Sequence, residues 1–208
     1  MLGFRFFIIQ IAGLIIFTTD NLIITQIFTP ADVTIYNIAF KYFNTLVLVF
    51  GVILTPFWSA YTEAFAKKEF EWIKRVMNQL IRIWMLFAGI IVLILLISPL
   101  AYRLWVGSDI QIPQTLSVLM AIFAIITMWN NIYAYFVNGV GKIQLQLYSA
   151  VITGILNIPL SIIFAKNLHL GISGVILATI VCLSPSAIWS PIQYWKIVNQ
   201  KAKGIWNK

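Results

Sequence analysis

The chain has 208 residues, 61% of them hydrophobic and only 10% charged, with a formal net charge of +8. Soluble domains are about 45–50% apolar and about 25% charged, so this composition excludes a soluble globular domain and reads as an all-α polytopic membrane protein. The basic residues sit near the ends of apolar runs and in the C-terminal tail, a distribution that membrane orientation explains without a nucleic-acid partner. The single cysteine, Cys182, rules out an internal disulfide.

A membrane-spanning helix needs about 20 mostly apolar residues, and six such stretches follow one another. The first is residues 6–28. It continues past Asp20, which reads as a spanning helix and not as the short apolar core of a signal peptide. A Thr29-Pro30-Ala31-Asp32 turn leads into the second, residues 33–61. Residues 63–80 place Phe65, Phe70, Ile73, Met77 and Leu80 at helical spacing opposite Lys67, Lys68, Glu71, Lys74 and Arg75. That pattern predicts an amphipathic connector lying on the inner membrane surface, its basic face toward anionic lipid. The remaining spans are residues 83–104, 112–137, 143–165 and 172–195, before a basic tail over 196–208. With six spans, eleven Lys and Arg fall on the side of the N-terminus and two, Arg103 and Lys166, on the other. The positive-inside rule then puts both termini in the cytoplasm.

Two ionisable residues interrupt the apolar pattern. Asp20 and Lys41 each lie eight residues from the turn that joins the first two spans, about 12 Å deep at 1.5 Å per residue. A charge at that depth costs roughly 2.5–3.5 kcal/mol on insertion scales and marks a functional site by default. The matched depths predict that the two pair, or jointly line a polar cavity; the plainer reading is one ion pair that fixes helix register. A second polar cluster, Asn130, Asn131, Tyr133 and Tyr135, falls within the fourth span. It suits contacts to a sugar hydroxyl or phosphate, and equally hydrogen bonds between helices. Gly171, Gly174 and Ala178 form a small-residue stripe that predicts close helix packing. Pro56, Pro159, Pro185 and Pro191 lie inside spans and predict bends whose freed carbonyls neighbours must satisfy. His169, in a short outer loop, reads as a solvated residue. No metal-ligand spacing, phosphate loop or nucleophile with its base is visible, so no cofactor or metal is expected and transport is favoured over catalysis.

Several stretches, taken in order, resemble the C-terminal half of the Wzx-type polysaccharide flippases of the multidrug/oligosaccharidyl-lipid/polysaccharide exporter superfamily, which also holds the MATE drug exporters. They are Asp20-Asn21-Leu22-Ile23-Ile24, Tyr36-Asn37-Ile38-Ala39-Phe40-Lys41, Phe136-Val137-Asn138-Gly139-Val140-Gly141-Lys142, and Asn157-Ile158-Pro159-Leu160 followed by Leu170-Gly171-Ile172-Ser173-Gly174 and Ala178-Thr179. The resemblance implies a bacterial inner-membrane carrier for an undecaprenyl-pyrophosphate-linked oligosaccharide, moved from the cytoplasmic to the outer leaflet by alternating access. In that setting Lys41 would attract the pyrophosphate or an acidic sugar, and Asp20 would tune it or couple to a proton or cation. Family members have about twelve helices or more in two six-helix bundles, so this chain matches one bundle. Its partner is expected to be a second six-helix half or a second copy of itself. The alternatives are a cation-coupled small-molecule exporter of the MATE type, an inactive or split half-carrier with a scaffold role, and a membrane enzyme of glycan assembly.

Overall fold

The computed structural model describes residues 2–208, with the side chains of all except residues 2, 6, 12 and 15–17. Six long helices follow one another: α1 Leu2–Ile27, α2 Pro30–Ala66, α3 Phe70–Val106, α4 Gln114–Gly139, α5 Gln144–Ile162 and α6 Ile172–Val198. A π-helical turn, Ile163–Asn167, extends α5, and a 3₁₀ turn, Gly204–Asn207, ends the chain. No strand is present among the described residues. Five helical stretches, α2, α3, α4, α5 with its π turn, and α6, are each long and apolar enough to cross a membrane. The protein is an all-helical polytopic membrane bundle.

Local chemistry sets the helix ends. At the start of α2, the Thr29 side chain accepts from the Asp32 amide at 3.3 Å, and the Asp32 carboxylate accepts from the Thr29 amide at 3.0 Å. This reciprocal cap satisfies two amides that the first turn would leave bare, and Pro30 at the first helical position has no amide to satisfy. At the other end, Lys68 at φ 60° turns the chain and Glu69 donates its amide to the Ala64 carbonyl at 2.9 Å.

Helix α4 is the centre of the bundle, packing on α2, α6 and α3, while α1 lies chiefly against α5. An aromatic seam ties the inner half together. Tyr61 meets Phe136 edge-on at 5.3 Å, Phe136 meets Tyr194 at 5.1 Å, and Tyr194 meets Tyr133 at 5.9 Å. Trp129 extends the seam from Tyr133 at 5.1 Å to Trp84 at 4.8 Å.

The region 63–80 differs from the expected surface-lying connector. Helix α2 runs on to Ala66, and α3 begins at Phe70 and continues unbroken through the third span. Ile73, Met77 and Leu80 are buried in the core, so the apolar face packs on protein and not on a lipid surface. At 37 residues each, α2 and α3 are about 55 Å long, well beyond the roughly 30 Å of a hydrocarbon core. Their paired ends therefore stand clear of it as a helical hairpin tip. The tip carries both ion pairs found among the described residues, Lys67–Glu63 at 2.6 Å and Lys74–Glu71 at 2.7 Å.

Two of the carbonyls freed by prolines find partners. Pro191 has no amide for Ala187, whose carbonyl instead accepts the Trp129 indole N–H at 3.0 Å. Pro99 likewise frees the Leu95 carbonyl, which accepts the Ser98 hydroxyl at 2.7 Å. Of the small-residue stripe at the start of α6, Gly174 packs closely, a Cβ there lying 2.6 Å from the Ala165 nitrogen, whereas a Cβ on Gly171 would meet nothing within 4 Å. The Asn138-Gly139-Val140-Gly141-Lys142 turn has a similar cause. Gly141 takes φ 70°, and a Cβ on Gly139 would come within 2.7 Å of the Trp58 carbonyl. There Thr62 on α2 donates its hydroxyl to the Gly139 carbonyl at 2.7 Å. Gly139→Ala should therefore destabilise the bundle by about 1–3 kcal/mol through backbone overlap. Gly154→Ala, where nothing lies within 4 Å, should leave the thermal midpoint in detergent unchanged.

Candidate functional site

The exterior of the bundle has two characters. Helix α3 exposes Leu86, Leu93, Leu96, Ile97 and Leu100, and α5 exposes Val151, Ile152, Ile155 and Leu156. Those are apolar surfaces of the kind that suits lipid. Helix α2 exposes Thr34, Lys41, Thr45, Thr55, Ser59 and Thr62 along one face, with Leu48 and Val52 between them. The spacing of seven and four keeps them in one stripe from end to end. Apart from Thr62, which donates to Gly139 of α4, its hydroxyls return to their own helix; Thr45, for example, donates to the Lys41 carbonyl at 2.8 Å and Thr55 to the Gly51 carbonyl at 3.0 Å. The Lys41 ammonium has no such internal acceptor. It opens on a groove of about 680 Å³ between α2 and α3, lined also by Tyr42, Asn44, Thr45, Ile94 and Trp105.

Asp20 lies elsewhere. It is 1% exposed, and its Oδ2 accepts the Tyr36 hydroxyl at 2.8 Å and the Thr179 hydroxyl at 3.4 Å. Thr179 Oγ1 in turn accepts the Asn157 amide at 2.9 Å. One chain of hydrogen bonds thus joins α1, α2, α5 and α6. Beside it, the Asn37 amide donates to Asn21 Oδ1 at 2.9 Å, a second polar tie between α1 and α2. Three oxygens of the buried cluster have no hydrogen-bond partner: Asp20 Oδ1, Asn157 Oδ1 and Ser161 Oγ. Ser161 is one turn from Asn157 on α5 and is fully buried. Buried polar atoms are nearly always partnered; the two orphaned oxygens linked through Thr179, one on Asp20 and one on Asn157, are acceptors that a proton or a hard monovalent cation could complete. All the donors are oxygens, the ligand type such cations prefer. No cluster of three or more His, Cys, Asp or Glu side chains occurs among the described residues, which sets this cluster apart from a transition-metal site.

Asp20 and Lys41 therefore do not pair. Lys41 follows Tyr36 by five residues, which places it about 140° around α2 at 100° per residue. Tyr36 faces inward to Asp20, so Lys41 faces out. The fourth-span cluster is divided too. Asn130 and Asn131 line a cavity of about 260 Å³ between α1, α4, α5 and α6, and Asn130 also donates to the Leu183 carbonyl at 3.2 Å. Tyr133 is in the aromatic seam, and Tyr135 stacks edge-on with Trp58 at 6.0 Å. Thr179, Asn157 and Ser161 were not singled out as site residues from the sequence. Their signal was slight: three small polar residues within apolar spans, two of them one turn apart.

Comparison with known proteins agrees with this architecture. The chain is 23% identical over 205 residues to a "Putative O-antigen export protein" of Yersinia pseudotuberculosis, covering 97% of this chain and 46% of that protein. It is 23% identical over 193 residues to a "Putative O-antigen transporter" of Salmonella typhimurium, covering 91% of this chain and 44% of that one. The chain thus spans slightly less than half the length of these relatives. No solved structure matches it significantly. The MatE family model matches residues 6–163, most of the chain and all but the last spanning helix, and the protein belongs to the MatE family.

Proposed function

We propose that this chain forms one wall of a carrier that moves lipid-linked oligosaccharide repeat units from the cytoplasmic to the outer leaflet. The observation that carries this reading is the polar stripe of α2 with Lys41 in its first half, exposed on a bundle whose α3 and α5 faces are apolar. A cation directed into lipid at that depth would cost roughly 2.5–3.5 kcal/mol, and a wet cavity removes the cost. Because the stripe faces away from its own bundle, the far side of that cavity comes from another bundle, either a second six-helix half or a second copy of this chain. Relatives named for O-antigen export and about twice as long support this arrangement.

Lys41 attracts the pyrophosphate or an acidic sugar of an undecaprenyl-pyrophosphate-linked glycan, acting as a point charge and without chemistry on the substrate. The Asp20–Thr179–Asn157 cluster is the coupling site. Its proton or cation changes the charge of a group that holds four helices together, and so biases one arrangement of the bundle over another. In this reading the protein lies in the bacterial inner membrane, with both termini in the cytoplasm on the side rich in Lys and Arg.

Two experiments test these roles. In a bacterium lacking its own flippase, this chain co-expressed with a second six-helix half should restore surface glycan. Lys41→Ala should abolish it at equal membrane abundance and Lys41→Arg should retain it; undiminished glycan with Lys41→Ala would remove the residue from the substrate path. The thermal midpoint of the purified protein should rise in sodium relative to equal potassium, or on protonation if the coupling ion is H⁺. At a hundredfold excess over the dissociation constant that rise is worth about 2.7 kcal/mol. Asp20→Asn should abolish the response while the protein stays folded, and an unchanged response would place the ion elsewhere.

A further inference from the structure

Residues 199–208 fold back onto the bundle. Gln200 turns the chain at φ 58° and Gly204 turns it again at φ 57°, which brings the 3₁₀ turn Gly204–Asn207 onto α5 and α6. There the Asn207 carbonyl accepts the Lys142 ammonium at 2.9 Å. The Lys208 carbonyl accepts the Gln144 amide, in the first turn of α5, at 3.0 Å. The Gln193 side-chain amide donates to the Lys142 carbonyl at 3.0 Å, so the α4–α5 turn is tied to α6 as well. Lys196 Nζ lies 3.9 Å over the Trp206 ring, and Lys201 Nζ lies 5.1 Å over that of Trp195. The fold-back thus gathers Lys142, Lys196 and Lys201 at one end of the bundle and holds each by a neutral group.

No carboxylate neutralises these three cations among the described residues. No Asp or Glu follows Asp109 in the sequence. At the α2–α3 hairpin tip, Glu63 and Glu71 are already paired with Lys67 and Lys74. A carbonyl or a ring face steadies an ammonium without cancelling its charge, and each ammonium keeps donors to spare. The level in the membrane suits a phosphate. Helix α6 has 27 residues, about 40 Å, against roughly 30 Å of hydrocarbon. Trp195 in its last turn is 51% exposed and Tyr148 near the start of α5 is 45% exposed, the residue types that settle at the headgroup layer.

We propose that the folded-back segment and the α4–α5 turn form a cradle for anionic phospholipid headgroups. The ammoniums of Lys142, Lys196 and Lys201 take the phosphate, and Trp195 anchors beside them at the interface. The lipid relieves the repulsion among the lysines and pins the segment to α5 and α6. The cradle is independent of what the Lys41 face carries.

The test uses the purified full chain in dodecyl maltoside, with dioleoyl phosphatidylglycerol or dioleoyl phosphatidylcholine added to the micelles. Phosphatidylglycerol should raise the thermal midpoint, and phosphatidylcholine at the same mole fraction should not. Lys142→Gln with Lys196→Gln should need at least tenfold more phosphatidylglycerol for the half-maximal rise. The paired Lys→Arg changes at both positions should keep the wild-type response. Lys67→Gln with Lys68→Gln, the same loss of charge at the hairpin tip, should keep it too. Lys201→Gln with Lys203→Gln, whose ammoniums make no hydrogen bond to the described residues, should weaken the response at least threefold and leaves the fold-back contacts of Lys142 and Lys196 in place. Equal rises with the two lipids would overturn the cradle. So would a wild-type response in both Gln pairs at this end, or an equal loss in the hairpin-tip pair, which would reduce the effect to overall charge.

Discussion

A carboxyl group cannot be left bare in the middle of a bilayer, and the arrangement of this bundle follows from how Asp20 is housed. One of its oxygens, Oδ2, accepts hydroxyls from two other helices, Tyr36 of α2 and Thr179 of α6, and Thr179 hands the network on to Asn157 of α5. The same group that costs most to bury is thus the one that fixes how four helices meet. Since the partners are neutral, they lessen the penalty without cancelling the charge. Asp20 Oδ1 and Asn157 Oδ1 stay without a hydrogen-bond partner within the network.

The same economy of polar groups divides the outer surface. Hydroxyls on α2 fold back on their own carbonyls, so a stripe of threonine and serine is tolerated against either lipid or water. Lysine has no such option, since an ammonium is a donor of fixed charge. Lys41 is therefore the member of the stripe least compatible with lipid, whereas the leucine-rich faces of α3 and α5 suit it.

Much of this was legible in the sequence, for a physical reason. Hydrocarbon demands long uninterrupted apolar runs, so the helices announce themselves by length, and the Thr29-to-Asp32 cap by its spacing. Asp20 and Lys41 stood out because charge is rare in such runs. What the sequence could not give was azimuth. Depth along a helix follows from counting residues, but direction depends on neighbours. The neighbour of Asp20 that completes its site, Thr179, is 159 residues away. The 63–80 stretch failed in the same manner: helical spacing identifies an apolar face, and both a flat connector and two upright helix ends satisfy it. The glycine turn at 139–141 was visible as a pattern, while its cause, a backbone crossing against Trp58, required the fold.

The two ends of α2 are held by different devices. Near its start, Tyr36 is bound to Asp20; near its finish, Thr62 is bound to the backbone of α4 at Gly139, where no side chain fits between the helices. A rod clamped at both ends cannot swivel to turn one face from one compartment to the other. Any reorientation of the Lys41 face would carry α4 and α1 along with it, so α2 can move only as part of the bundle.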